Sequence, residues 1–144
     1  MKLLLLICLL LSGEVFADDR TALPSGLVSL SGENISLASG PVHLIFLDAL
    51  CPMPHFPGCE ETIARLAREY RRDAHNVVAV FNALYVDETT VQAFVQKHQL
   101  TMPVVVDVDM TLHRALSIHA TPYQVSLNNG AVVYRGSQLK SLIN

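Results

Sequence analysis

Beyond residue 26, apolar runs of strand length alternate with segments in which apolar positions recur at helical spacing. Two segments follow the i, i+3, i+4, i+7 rule of an amphipathic helix. These positions are Ile63, Leu66, Ala67 and Tyr70 in the first segment and Val91, Phe94, Val95 and His98 in the second. The pattern predicts a shorter helix at 110–118 and strands at 28–30, 35–37, 42–50, 76–84, 103–109, 123–127 and 131–136.

The order of these elements, β-β-β-α-β-α-β-α-β-β, is typical of an α/β fold with one central sheet. The strand at 42–50 is apolar along most of its length, which predicts a central position covered on both faces. Ser31–Asn34 has the composition of a hairpin turn, and Asn129-Gly130 joins the last two strands with one of the strongest hairpin signals. Antiparallel hairpins at both ends make the predicted sheet a mixed one.

The N-terminus has the layout of a secretory signal peptide. Lys2 precedes the apolar run 3–11, and Val15-Phe16-Ala17 provides small-residue cleavage positions. The run is about half the roughly 20 residues that a membrane-spanning helix needs. We therefore expect a signal peptide at 1–17, a linker at 18–26, one domain at 27–144 and a periplasmic or secreted protein without stable membrane insertion. An uncleaved anchor is the alternative.

Composition narrows the function classes. The chain has 144 residues, 51% of them hydrophobic, and ten Lys and Arg against thirteen Asp and Glu. Such a length fits one domain, and the mild net charge of −3 argues against nucleic-acid partners. Removal of the leader would also remove Cys8, which leaves Cys51 and Cys59 as the only cysteines of the mature chain.

Cys51 and Cys59 flank a proline-rich segment between the predicted central strand and the first helix. Reactive groups of open α/β sheets collect at the carboxyl ends of strands, where Cys51 lies. Cys59 lies near a helix N-terminus, whose unpaired N–H groups lower a thiol pKa. The seven residues between them leave room for a disulfide. The pair is therefore redox-active, a structural disulfide, or a set of free or metal-binding thiols.

The stretch from Gly32 to Gly136 resembles the redoxin branch of the thioredoxin-like superfamily, which holds AhpC/TSA-like proteins and exported TlpA-like thiol-disulfide oxidoreductases. The residues that carry the resemblance are SGENISLASG, the Cys-Pro after the central strand, KHQLTMPVVVD, Ala120-Thr121-Pro122 and the hairpin end VVYRG. It implies a thioredoxin-like fold with an N-terminal hairpin extension. It also implies a cis Thr121–Pro122 bond that lies beside the reactive cysteine and holds substrate.

Two family patterns are altered here. Pro54 occupies the second cysteine position of the usual Cys-x-x-Cys motif, so any exchange must use the Cys-x7-Cys pair. The peroxidatic pattern Pro-x-x-x-Thr-x-x-Cys would have Leu44 and Asp48 in place of Pro and Thr. The second change argues against peroxidase activity, although the resemblance implies antioxidant and redox-homeostasis roles.

Copper(I) binding is an alternative for the same segment. Cys51, Met53, His55 and Cys59 supply the thiolate, thioether and imidazole ligands that suit Cu(I). Copper-delivery proteins with a thioredoxin-like fold add a distant histidine, for which the candidate here is His119. If this alternative does not hold, no cofactor is expected.

The remaining polar candidates have simpler interpretations. Asp48 is either a buried proton acceptor for the thiol or, more simply, the residue that caps a turn at the strand end. His43, His75, His98 and His113 lack ligand spacing and are expected at surface or boundary positions. The chain has no hydrolase triad, phosphate loop or zinc-protease motif.

These observations predict an exported thiol-disulfide oxidoreductase of the redoxin type, acting on protein or small-molecule thiols and disulfides. Cys51 would be the nucleophile and Cys59 the resolving cysteine, with Thr121 and Pro122 contacting the substrate. A copper(I) chaperone and a non-catalytic module with a structural disulfide are the alternatives.

Overall fold

A computed structural model describes residues 22–52, 58–70 and 76–140. The predicted signal peptide, residues 18–21 of the predicted linker, Met53, His55, His75 and the last four residues lie outside this described part. Within it, strands and helices follow one another in the predicted order. The strands are β1 (Gly26–Val28), β2 (Asn34–Ser36), β3 (Pro41–Leu47), β4 (Val77–Asn82), β5 (Val104–Asp107), β6 (Tyr123–Asn128) and β7 (Ala131–Gly136), and the helices are α1 (Cys59–Glu69), α2 (Glu88–His98) and α3 (Thr111–Ala115).

Five strands form one mixed sheet in the order β5-β4-β3-β6-β7. β3, β4 and β5 are parallel, whereas β6 is antiparallel to both β3 and β7. Leu47 pairs with Phe81 on one side of β3, and Phe46 pairs with Tyr123 on the other. The carboxyl ends of β3 and β4 and the start of β6 therefore meet at one edge of the sheet, and this confirms the predicted central position of β3.

Each face of the sheet carries its own apolar core. Ile45 and Leu47 of β3 pack with Ile63 and Leu66 of α1 and with residues of α2. Their neighbours Leu44 and Phe46 point to the opposite face and share a core with Leu112 of α3. This alternation along β3 explains its continuous apolar sequence, because successive side chains of a strand face opposite sides.

The N-terminal hairpin pairs β1 with β2, and its strands lie one or two residues earlier than predicted. The reason lies in two backbone hydrogen bonds. Ser29 N–H donates to the carbonyl of Glu33, which closes the turn, and Leu30 N–H donates to the carbonyl of Val104 in β5. Leu30 thus leaves the hairpin to cover the edge of the large sheet.

None of the helices in the described residues is long and apolar enough to cross a membrane. α1 and α2 have eleven residues each and α3 has five. A helix across a bilayer needs about 20 residues.

Candidate functional site

Cys51 and Cys59 form a disulfide with their Cα atoms 5.9 Å apart. Cys51 follows the end of β3 at Leu47, and Cys59 is the first residue of α1. Both cysteines are buried in the core that α1 and α2 share with the sheet. The strand end and the helix start therefore place the two sulfur atoms together at the sheet edge. This is what a redox-active pair and a structural disulfide both require.

The N-terminus of α1 lies directly at the disulfide. Gly58 is the capping residue and has no side chain, so no side-chain group caps the first-turn N–H groups. The hydrogen bond and positive charge of Lys97 hold the pKa of Glu60 below its usual value, with Nζ and Oε1 2.8 Å apart. Unpaired N–H groups near a sulfur stabilise its thiolate form. The negative charge of Glu60 would disfavour a thiolate at the same helix end, and the positive charge of Lys97 offsets part of this effect.

Thr121 and Pro122 lie on the other side of the cysteine pair. They line a shallow recess of about 10 Å³ together with Leu47, Asp48, Cys51, Cys59, Thr62 and Ile63. The Thr121–Pro122 bond is cis, as predicted, and the Cys51–Pro52 bond is cis as well. The structure therefore brings all four predicted site residues to one place.

Asp48 follows the last residue of β3 and has a structural partner. Its Oδ1 accepts the N–H of Leu50 at 2.8 Å, which forms a turn between the strand and Cys51. This confirms the turn-capping interpretation. The same residue also lines the recess of the disulfide.

The proposed copper ligands are only partly accounted for. Met53 and His55 lie outside the described residues, and His119 is exposed in the segment between α3 and β6. The two cysteine sulfurs are bonded to each other. In the ranges 22–52, 58–70 and 76–140, no group of three or more His, Cys, Asp and Glu residues could hold a metal ion. Copper binding stays a prediction for the reduced chain.

The expectation that His113 lies at the surface or boundary is wrong. Its side chain is buried, and its Nδ1 lies 2.7 Å from Oδ2 of Asp107 at the end of β5. The carboxylate supplies the hydrogen bond that makes burial of the imidazole tolerable.

His43 and His98 are half-buried, in agreement with the expectation. His43 Nδ1 lies 2.8 Å from the hydroxyl of Ser126, and burial lowers the pKa of this histidine. The ring of His98 packs on that of Phe94, and burial, followed by the charge of Lys97, lowers its pKa.

The sequence pattern does not single out the exposed apolar side chains in the loop after β4. The pattern predicts Leu84 in a strand, but β4 ends at Asn82 and leaves Leu84 and Tyr85 exposed in the following loop. A usable signal was present, because a polar Asn interrupts the apolar run two residues before Leu84. Asn favours turns over strand interiors.

Several solved structures share this fold at low sequence identity. A secreted disulfide oxidoreductase of Mycobacterium tuberculosis is 20% identical, with a TM-score of 0.62 over 89% of this chain and 92% of its own. StoA from Bacillus subtilis is 22% identical, with a TM-score of 0.64 over 81% and 90%. The exposed lipoprotein thioredoxin of Streptococcus pneumoniae is 18% identical, with a TM-score of 0.59 over 80% and 89%.

These similarities confirm the predicted thioredoxin-like fold. No curated protein sequence matches the chain. The family model of the AhpC/TSA proteins, however, matches residues 22–140, which include both cysteines, the Thr121–Pro122 bond and every strand and helix described above. The chain therefore belongs to the AhpC/TSA family.

Proposed function

We propose that this protein is an exported thiol-disulfide oxidoreductase that uses Cys51 and Cys59 as its redox pair. The observation that carries the proposal is the disulfide itself, which faces a recess shared with Thr121 and Pro122 at the carboxyl edge of the sheet. A disulfide placed where ligands of α/β sheets bind is in the position of a reactive group.

In the reducing direction, the thiolate of Cys51 attacks one sulfur of a substrate disulfide. A mixed disulfide forms and the other substrate sulfur leaves as a thiolate. The thiolate of Cys59 then attacks the sulfur of Cys51, which releases the second substrate thiolate and restores the Cys51–Cys59 disulfide. Two electrons pass from the cysteine pair to the substrate, and an external dithiol must reduce the pair again.

The surroundings of the two cysteines support the assignment of Cys51 as the nucleophile. Its neighbours Leu50 and Pro52 are exposed, and Cys51 itself is slightly more exposed than Cys59. Cys59 belongs to the buried face of α1 together with Ile63. The N-terminal N–H groups of α1 would lower the pKa of a thiol held beside them.

The similar structures support the same class of activity. The Mycobacterium tuberculosis protein is described as a secreted disulfide oxidoreductase, and the Streptococcus pneumoniae protein as an exposed lipoprotein thioredoxin. Peroxidase activity is not part of the proposal, because Leu44 is a buried core residue and Asp48 caps a turn where the peroxidatic pattern has Pro and Thr.

A structural disulfide is the second candidate, and burial favours it. Cys51 is 7% exposed and Cys59 is 4% exposed, so little of either residue is accessible to an attacking sulfur. Chain-entropy arguments give roughly 2.6 kcal/mol for closing a loop of this length. A disulfide of this kind stabilises the chain and exchanges with no substrate.

Redox titration with mass-tagging of free thiols, combined with a disulfide-reduction assay, separates the candidates. For a redox pair, we expect a potential above the roughly −300 mV below which structural disulfides lie. Cys51→Ser should abolish disulfide reduction, whereas Cys59→Ser should trap a mixed disulfide with the substrate.

Two other outcomes would contradict the redox proposal, and a third would change the roles that it assigns to the two cysteines. A structural disulfide predicts that either substitution lowers thermal stability while exchange rates stay the same. A copper protein predicts tight Cu(I) binding by the reduced chain, weakened by Met53→Ala or His55→Ala, without disulfide reduction. Trapping by Cys51→Ser instead of Cys59→Ser would reverse the assigned roles.

Export is the second part of the proposal and rests on the layout of Lys2, the apolar run 3–11 and Val15-Phe16-Ala17. We expect cleavage after Ala17, so that the exported protein begins at Asp18. Mass spectrometry of protein from its native host measures this directly. An intact Met1 in the membrane fraction would contradict cleavage and support the uncleaved anchor.

A further inference from the structure

Large apolar side chains are exposed just after the carboxyl ends of the three parallel strands β3, β4 and β5. Leu84 is 60% exposed, Tyr85 81% and Val108 69%, and Leu50 is exposed next to Cys51. Single exposed apolar residues are ordinary, but contiguous groups of them mark interaction sites. We call these four residues, Leu50, Leu84, Tyr85 and Val108, the apolar rim.

The sheet register places the apolar rim along one edge. Leu47 pairs with Phe81 across β3 and β4, and Phe81 pairs with Val106 across β4 and β5. The rim residues follow these aligned positions by two to four residues, and neighbouring strands lie about 4.8 Å apart. An exposed apolar residue therefore follows each of the three parallel strands, at the same carboxyl edge of the sheet where Cys51 follows β3.

The backbones of Leu50 and Leu84 are fixed by the same kind of hydrogen bond. Asp48 Oδ1 accepts the N–H of Leu50 at 2.8 Å, and Asn82 Oδ1 accepts the N–H of Leu84 at 3.3 Å. Side-chain oxygens that bond the backbone two residues onward fix a tight turn. The turns hold each leucine just beyond a strand end, although the leucine side chains are not buried.

Carboxylates are interleaved with the rim. Asp87 and Glu88 follow Tyr85 at the start of α2, and Asp109 follows Val108. Asp87, like any exposed carboxyl, is charged at neutral pH, and hydrogen bonds from the hydroxyl and the N–H of Thr90 lower its pKa further. Segments 48–52, 83–88 and 108–110 contain neither Lys nor Arg. The loops that carry the apolar rim are thus negatively charged.

We propose that the apolar rim docks a cysteine-bearing polypeptide segment with apolar side chains next to its cysteine and basic side chains farther out. This inference deepens the proposed function and rests on it. The rim adjoins the pair through Leu50 and extends over β4 and β5, whereas Thr121 and Pro122 lie on the β6 side. A bound segment would therefore contact both sides of Cys51.

The test uses the double variant Leu84→Ser/Tyr85→Ser and the matched control Val133→Ser. Val133 is 65% exposed but lies on β7, at the far edge of the sheet. The probes are an apolar-basic peptide and a polar-basic peptide of equal charge, each with its cysteine bonded to a chromogenic thiol, and a small symmetric disulfide.

For the rim variant, we expect the KM of the apolar-basic peptide to rise about tenfold, as for interface residues of moderate importance. The rate with the small disulfide should stay the same, because that substrate is too small to reach the rim. The control variant should match the wild type with every probe.

A second arm tests the charge preference with the double variant Asp87→Asn/Glu88→Gln. Asn caps a helix as well as Asp does, so α2 is retained. In the wild type, we expect a basic peptide to have a lower KM than an acidic peptide. The ratio of the two KM values should fall severalfold in this variant, and the KM of the basic peptide should depend less on salt concentration.

Direct binding keeps this inference separate from the redox proposal. A fluorescent peptide with Ser in place of its cysteine should bind about tenfold more weakly to the rim variant, as measured by anisotropy. Equal binding by rim variant and wild type would overturn the docking inference. So would binding of the wild type to anionic lipid vesicles in place of the peptide. Failure of Cys51→Ser to change exchange with the small disulfide would overturn the proposed function instead.

Discussion

At the scale of single residues, the pair of Asp107 and His113 shows how a buried charge is made acceptable. The carboxylate of Asp107 accepts three hydrogen bonds, from the N–H of Leu112, the N–H of His113 and His113 Nδ1. Burial acts to raise the pKa of Asp107, but these hydrogen bonds outweigh it and lower the pKa below the ordinary 3.8. The pair thereby ties the end of β5 to the start of α3.

Asp107→Ala should lower the free energy of unfolding by about 3 kcal/mol at pH 7, because it leaves buried donors without a partner. A carboxyl whose folded pKa is depressed contributes stability that is fully present above its unfolded pKa. That contribution is lost as the pH falls through the lower folded pKa. The difference between wild type and variant should therefore shrink below pH 4.

Urea unfolding at pH 3, 4, 5 and 7 measures both effects. Asp109→Ala, an exposed neighbour, is the matched control and should change stability by less than about 0.5 kcal/mol. Equal stability of Asp107→Ala and the wild type at pH 7 would show that the buried pair contributes nothing to folding.

At the scale of elements, the spacing of apolar residues predicted each strand and helix, because a buried helix face and a buried strand face repeat at different intervals along the sequence. The ends of elements were less predictable. Leu30 continues the apolar pattern of its strand, yet its N–H bonds to Val104, a residue that sequence spacing cannot link to it. Burial of His113 likewise depends on Asp107, which lies on another element.

The candidate site was likewise only partly predictable from the sequence. Its cysteines were recognisable from their positions at a strand end and a helix start, and Thr121 and Pro122 from the family resemblance. The apolar rim was not, because it depends on the register of three strands. Leu84 and Val108 are far apart in sequence, and only the alignment of Phe81 with Val106 places them at one edge.

The β6–β7 hairpin provides a prediction at this scale. Asn129 and Gly130 both adopt positive φ, 50° and 78°, and Asn129 also exchanges hydrogen bonds with Gly40. Gly130→Ala should destabilise the protein by about 1 kcal/mol, because a Cβ atom strains this backbone conformation. Thermal denaturation measures the change.

Asn128→Ala is the control for the hairpin, since Asn128 is an exposed residue beside the same turn without positive φ. Its effect should stay below about 0.5 kcal/mol. If both substitutions cost the same, the positive φ of Gly130 would not be the cause.

At the scale of the whole molecule, the sheet separates two apolar cores that support different parts of the candidate site. The core of α1 and α2 holds the disulfide, and the core of α3 lies on the other face. The segment that bears Thr121 and Pro122 follows α3, and it is tied to that helix by the bond from Ile118 N–H to the carbonyl of His113. The two halves of the site therefore depend on opposite layers of the fold.

The pairing of β3 with β6 also sets an order on the assembly of a growing chain. Pro41 lies opposite Asn128, so the middle of the sheet cannot close until the chain has emerged from the ribosome as far as β6. Contacts this distant in sequence form slowly. The two cysteines are only eight positions apart and meet by closing a short loop. Oxidation of the nascent chain can thus precede completion of the sheet, before the segment with Thr121 and Pro122 has arrived.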